Sequence, residues 1–239
     1  MIEDLLLKLR QRDAVSPEEE QALRDSIAKV EEIPARKTVL KRGELLDRSV
    51  LLLDGLMGRH KDLRNGQRQI TALHIPGDFL DLHGFTLKYL DHDVASLAPS
   101  RVAYALHDRL REITEQFPHL TRLLWFSTNL DAAMHREWEL SLGQRLGAER
   151  AAHLFCEMYV RLETVGRVQG PAFPLSLNQT ELGECLGLTV VHTNRVLREL
   201  REEGLVEFAR GRVVIHDLDR LKAFAEFDPA YLYVESLPR

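Results

Sequence analysis

The stretch that most limits what this chain can fold into is Leu186-Gly187-Leu188-Thr189-Val190-Val191-His192-Thr193-Asn194-Arg195-Val196-Leu197-Arg198. A glycine stands between two short amphipathic segments. Ahead of it, Asn178 can cap a helix, with Glu181 three residues on, and Leu182 and Leu186 form the apolar face. Gly187 supplies the left-handed residue that ends this helix in a tight turn. Thr189 caps a second helix, whose Val196, Leu197 and Leu200 point back to a core. Two helices crossing steeply through a short glycine-containing turn make a helix-turn-helix.

A helix in this setting reads bases only if its early residues are exposed. Val190, Val191, Asn194 and Arg195 fall opposite the core stripe, so they are the expected base readers. Arg195 can donate two hydrogen bonds to guanine O6 and N7, and a valine can touch a thymine methyl. Asn194 suits a base or a phosphate. Gln179, Thr180 and Thr189, together with His192 and Arg198, suit backbone contacts that set register. After Glu203-Gly204-Leu205-Val206, the stretch from Phe208 to Ile215 predicts two short strands joined at Arg210-Gly211-Arg212, a wing whose two arginines lie beside a nucleic-acid backbone. A closing helix is expected over 217–227, capped by Asp217. Arg198, Glu199, Arg201, Glu202 and Glu203 also read as a solvated helix face with i,i+4 pairing.

Upstream the texture differs. Residues 1–30 read as short helices: Leu5, Leu6 and Leu9 form a stripe, and Ser16-Pro17 with Glu19 makes a capping box. From about 33 to 106 turn residues recur every few positions. Segments 50–53 and 56–61 around Asp54-Gly55 read as a hairpin. A second turn at Arg64-Asn65-Gly66-Gln67 leads into a strand over 69–75, and further strands are expected over 94–97 and 101–106. Many short strands at this spacing suggest a small barrel or sandwich. A long helix follows over 117–142. Leu120, Leu123, Leu124, Leu130, Met134 and Trp138 share one face with Ser127. A parallel helix from a second subunit would cover that stripe, and packing on the chain's own barrel is the alternative. A helix over 145–162 and a loop over 164–174 complete the connection.

Charge bears on this reading. Lys and Arg number 32 against 37 Asp and Glu, a net charge of -5. Within the helix-turn-helix segment Glu199, Glu202, Glu203 and Glu207 offset the arginines. The positive face is therefore small: Arg195, Arg198, Arg210 and Arg212. Non-specific binding to nucleic acid should be weak. The two cysteines, Cys156 and Cys185, exclude a four-cysteine zinc or iron–sulfur site within one chain. Both read as buried inert thiols, and redox control through Cys185 is suggested only by its place in the motif. No apolar run reaches membrane-spanning length and no signal-peptide pattern opens the chain, so a cytoplasmic protein without membrane contact is expected.

These residues carry a resemblance. From the β-rich region through the long helix to the winged segment, nearly the whole chain resembles the Crp/Fnr family of transcription regulators. The match is strongest over 186–198, similar to a branch whose recognition helix reads Thr-x-x-His-x-Asn-Arg. The tail Phe227-Asp228-Pro229-Ala230-Tyr231-Leu232 is similar to that branch too. The resemblance implies an α+β fold: an N-terminal double-stranded β-helix, the cyclic-nucleotide-binding-like β-roll, with its helices over 1–116; a dimerisation helix over 117–143 (Leu120, Leu123, Ser127, Leu130, Met134, Trp138); and a winged helix-turn-helix domain over 144–239. It implies a homodimer on double-stranded DNA at a two-fold symmetric site, RNA polymerase as a partner, and no enzymatic activity. Many members carry glutamate where Val191 stands, and valine cannot accept from cytosine N4.

The family's cyclic-nucleotide cassette places an arginine after a short loop. Here no arginine lies between Arg68 and Arg101, and Asp91 and Asp93 would repel a phosphate. Weak or no cyclic-nucleotide binding is expected. The family's iron–sulfur sensing uses cysteines near the N-terminus, and none precedes Cys156. His60, His74, His83, His92 and His107 fall in or near the barrel and read as structural rather than as haem or metal ligands. No cofactor is expected. Asp81, His83 and His92 are the candidate lining of an effector pocket for an unknown signal. A cupin-like β-barrel protein binding a metal or small molecule is the rival of another class, but the chain has no His-x-His pair. An interaction module whose helix-turn-helix no longer binds DNA is a second rival, disfavoured by Arg195, Arg210 and Arg212.

Overall fold

The computed structural model describes residues 1–235 and residue 237. The last residues of the domain expected to end at 239 therefore lie partly outside the described residues. The chain divides into two compact units. The first takes Met1–Lys61, Ala72–Ala132 and the residues from Tyr233 on; the second takes Asp62–Thr71 and Ala133–Leu232.

Helices α1 (Glu3–Arg10) and α2 (Pro17–Asp25) open the chain. The capping box at α2 forms as its sequence dictates: Glu19 N donates to Ser16 Oγ at 3.2 Å and Ser16 N to Glu19 Oε2 at 2.9 Å. The strands are β1 (Ile27–Ile33), β2 (Thr38–Leu40), β3 (Arg48–Asp54), β4 (Met57–Asp62), β5 (Arg68–His74), β6 (Asp93–Ser96) and β7 (Ser100–Leu106), with a short helix α3 (Gly84–Leu87) before β6. They form two sheets, ordered β1-β7-β3 and β2-β6-β4-β5. Helices α4 (His107–Gln116) and α5 (Pro118–Gln144) follow.

Two local expectations change. Residues 27–30 belong to β1, paired with β7 from Ile27↔Ala105 on, rather than to a helix. This strand is largely exposed and carries Lys29, Glu31 and Glu32, so it lacks the alternation that marks a half-buried strand. Segments 50–53 and 56–61 are not a hairpin, because β3 and β4 lie in different sheets. Gly55 turns the corner between them with φ +97°, and a Cβ there would fall 2.6 Å from the Pro99 carbonyl oxygen.

Strand β3 is apolar on both faces because both are covered. Leu51 and Leu53 pack with Leu5, Leu6 and Leu9 of α1, Leu23 of α2, Leu110 and Ile113 of α4, and Leu120 and Leu123 of α5. Val50 and Leu52 point the other way, to Met57, Leu80, Val94 and Val102 between the sheets. Each such leucine contributes roughly 1.5–3 kcal/mol on burial.

In the second unit come α6 (Gly147–Glu163), β8 (Ala172–Pro174), α7 (Gln179–Leu186), α8 (Val190–Glu202), β9 (Val206–Ala209), β10 (Arg212–Ile215), α9 (Leu218–Phe224) and a 3-10 turn (Pro229–Leu232). The end of the expected loop 164–174 is a strand: β8 pairs with β10 through Val213↔Phe173, giving the sheet β8-β10-β9. Asp217 caps α9 by accepting from Arg220 N at 3.0 Å. No helix among the described residues is long and apolar enough to cross a membrane.

Candidate nucleic-acid interface

The sequence builds α7 and α8 from their ends inward. Asn178 and Glu181 close a reciprocal capping box at α7: Glu181 N donates to Asn178 Oδ1 at 2.9 Å and Asn178 N to Glu181 Oε2 at 2.8 Å. Gly187 ends α7 in the left-handed region with φ +63°. Helix C-termini leave carbonyls without internal donors. Two side chains supply them here. Gln69 Nε2 donates to Glu184 O at 2.6 Å, and the Arg150 guanidinium donates to Leu186 O. Neither role is marked in the sequence, because neither spacing nor residue type ties Gln69 to a helix end more than a hundred residues away.

Thr189 Oγ1 caps α8 by accepting from His192 N at 3.3 Å. The helices approach closely at Gly183, where a Cβ would lie 2.7 Å from Leu188 O and 2.9 Å from Thr193 Oγ1. Thr193, Val196 and Leu200 are buried beneath α8. Val190, Val191, His192, Asn194, Arg195 and Arg198 are exposed on its outer side, Val191 at 80%. Gln179, Thr180 and Thr189 are exposed too. The wing turns at Arg210 (φ +52°) and Gly211 (φ +72°), which is the positive-φ pair of a type I′ hairpin. Arg210 and Arg212 both face solvent. Side chains of the recognition-helix type thus stand clear of the core.

Residues 149–224 match the Crp-like helix-turn-helix domain. The transcriptional activator protein anr of Pseudomonas aeruginosa is 28% identical over 203 residues, covering 82% of this chain and 82% of its own. The transcriptional activator protein FnrL of Cereibacter sphaeroides is 27% identical over 210 residues, 85% of this chain and 83% of its own. The chain is a DNA-binding transcription regulator with a Crp-like helix-turn-helix domain, similar over most of its length to Fnr- and Anr-type activators. The regulator shares its fold with solved structures as well. FixK2 from Bradyrhizobium japonicum superposes with a TM-score of 0.75 at 23% identity, over 83% of this chain and 97% of that one. A Crp-family regulator from Thermus thermophilus does so at 0.62 and 19%, over 82% and 97%.

In the first unit of the regulator the expected effector residues lie apart from any metal-like grouping; among the described residues no three His, Cys, Asp or Glu are placed to hold a metal ion. Asp81 is fully buried and its Oδ1 accepts from Val50 N at 2.6 Å. Burial pushes its carboxyl up to about 7, against the Val50 N–H and the Arg59 guanidinium, which pull it down. His92 is buried, and its ring stands 5.5 Å from that of half-buried His83. Burial lowers the His92 pKa, Arg59 adds to this, and Asp91 opposes it from 2.8 Å. The two carboxylates expected to repel a phosphate are engaged. Asp91 pairs with Lys61, and Asp93 Oδ1 accepts from Arg42 N at 2.9 Å. The barrel does bury an arginine, but on β4: Arg59. Its position was legible in principle, since Met57 points between the sheets and Arg59 lies two residues on along the same face.

Helix α5 partitions the predicted stripe. Leu120, Leu123 and Trp138 are buried within the chain itself, while Ser127, Leu130 and Met134 stay half-buried. Both cysteines are buried. Burial pushes the Cys156 thiol up to about 12 and raises that of Cys185 well above the ordinary range.

Proposed function

We propose that this regulator acts as a homodimer on a two-fold symmetric duplex site, with α8 of each protomer in a major groove. Val190, Val191, Asn194 and Arg195 read bases, and Gln179, Thr180, Thr189, His192, Arg198, Arg210 and Arg212 hold the backbone. The observation that carries this reading is the outer face of α8: Arg195 and Val191 are exposed while Thr193, Val196 and Leu200 anchor the opposite side. Half-buried Ser127, Leu130 and Met134 are the part of the α5 stripe left for a second copy to cover. DNA binding in this reading needs no cyclic nucleotide, iron–sulfur cluster or other cofactor, and the lack of any arginine between Arg68 and Arg101 and of any cysteine before Cys156 supports it. The setting is the cytoplasm, with RNA polymerase as the further partner, and no catalytic step is assigned.

Selection from random duplexes tests the reading. The expected product is a pair of inverted half-sites about one helical turn apart, ~34–36 Å centre to centre. An unsymmetric consensus, or none, contradicts it. Leu130→Glu with Met134→Glu should shift sedimentation from dimer to monomer, and a dimer that persists places the interface elsewhere.

A further inference from the structure

A buried guanidinium needs partners, because an uncompensated charge in a protein interior is strongly unfavourable. The Arg59 side chain is only 5% exposed and meets two segments besides its own strand. Its Nη1 donates to Asp131 Oδ2 on α5 at 2.9 Å, and its Nη2 donates to the Leu80 carbonyl oxygen at 3.1 Å. Asp131 is the more open member at 22%. Asp81 and His92 both feel the positive charge of Arg59, and His92 also feels Asp131. A planar, permanently charged fork of donors inside a barrel is an anion-binding position. In this chain the anion is a side chain of the long helix.

We propose that Asp131 is a built-in ligand. Its carboxylate fills the anion position on Arg59 and fastens the barrel to α5, so the DNA-binding form is reached with no effector bound. The proposal rests on the effector-free reading above and gives it a cause. A diffusible anion would occupy Arg59 according to its concentration. A carboxylate tethered on α5 has an effective concentration set by the chain, so occupancy does not vary with supply. Asp131 is thus a positioning residue for DNA binding rather than a contact with DNA.

The test is chemical rescue in the full-length protein. Asp131→Ala vacates the anion position and removes the Arg59–Asp131 ion pair. Affinity for the selected duplex should fall by roughly tenfold or more, within the usual range of coupling between sites. Added acetate should restore it saturably, while chloride at equal ionic strength should not. Asp131→Asn, which keeps the shape without the charge, should be weakened as well. It serves as the folded comparison if the alanine variant melts early. Wild-type affinity in Asp131→Asn, or a folded Asp131→Ala that acetate does not restore, overturns the proposal. The wild-type protein separates this from failure of the reading beneath it. If wild type binds the duplex only after a small molecule is supplied, the effector-free reading itself fails.

Discussion

Trp138 donates its indole N–H to Glu157 Oε2 at 3.0 Å, and no part of Glu157 is exposed. The same acid accepts from Tyr231 Oη at 2.9 Å, and its Oε1 accepts from Arg161 Nη1 at 2.9 Å. One carboxylate therefore joins the end of α5, the middle of α6 and the C-terminal 3-10 turn within the second unit. Glu157→Ala would leave an arginine, an indole and a phenol without their shared acceptor. Urea unfolding followed by tryptophan fluorescence should show a loss of about 3–5 kcal/mol, the range for breaking a buried ion pair. Tyr231→Phe removes one hydrogen bond to a charged acceptor and should lose about 1.5–3 kcal/mol. Equal losses in the two variants would contradict this account of Glu157.

Two buried groups give the stability opposite slopes with pH. Burial pulls the His153 pKa down to about 3, with the Arg145 charge adding. Glu137 lies 3.2 Å from His153 but is itself held by Arg145 at 2.8 Å, so burial prevails. Unfolded chains protonate this histidine near pH 6.5, so stability is lost as pH falls from there toward 3. Asp81 runs the other way. Its carboxyl keeps a proton up to about 7 when folded and releases it near the ordinary value of 3.8 when unfolded. Its contribution is full below that ordinary value and is lost as pH rises through 7. Asp81→Asn should therefore gain stability over wild type progressively between pH 4 and 7.5, on the order of the shift implied by the raised pKa. A constant difference across that range in urea midpoints would remove Asp81 from the pH response.

Gly183 sets the spacing of α7 and α8. Gly183→Ala would press a methyl group against the Leu188 carbonyl oxygen and Thr193 Oγ1. Overpacking of this kind typically destabilises by about 1–3 kcal/mol. Affinity for the selected duplex should fall along with thermal stability, since Thr193 anchors the exposed row on α8. An alanine variant with wild-type melting and wild-type affinity would show that the helices have room to spare.

Thiol reactivity tests the two cysteines. Nucleophilic attack needs the thiolate and access to it. Cys156 and Cys185 have neither, being buried with raised thiol pKa values. Native protein should react with an aromatic disulfide reagent no faster than it unfolds, and peroxide should leave DNA binding unchanged. Fast labelling of Cys185 in folded protein would reopen redox control.

Much of the fold was legible because local signals agreed with tertiary packing. The Ser16 and Asn178 capping boxes, the Thr189 and Asp217 caps and the Gly187 turn all form where their residues stand. Strand pairing was less legible. Gly55 reads as a hairpin turn, yet it marks a change of sheet, and only contact with Pro99 and Ser100 distinguishes the two. The stripe on α5 showed which face is apolar, but not that Leu120 and Leu123 meet β3 or that Trp138 meets Glu157. Within the reader, exposure followed from helical spacing. In the barrel, the Arg59–Asp131 pair joins residues 72 apart and has no signature in sequence.

The most direct test of the central claim is the affinity and base preference of Arg195→Ala. Arg195 is exposed on α8, so its loss should leave folding intact. At the selected symmetric site the variant should bind on the order of 1–3 kcal/mol more weakly. Its preference should relax at one base pair in each half-site, with binding to unrelated duplexes nearly unchanged. An Arg195→Ala protein that binds every sequence as tightly and as selectively as wild type would contradict the account.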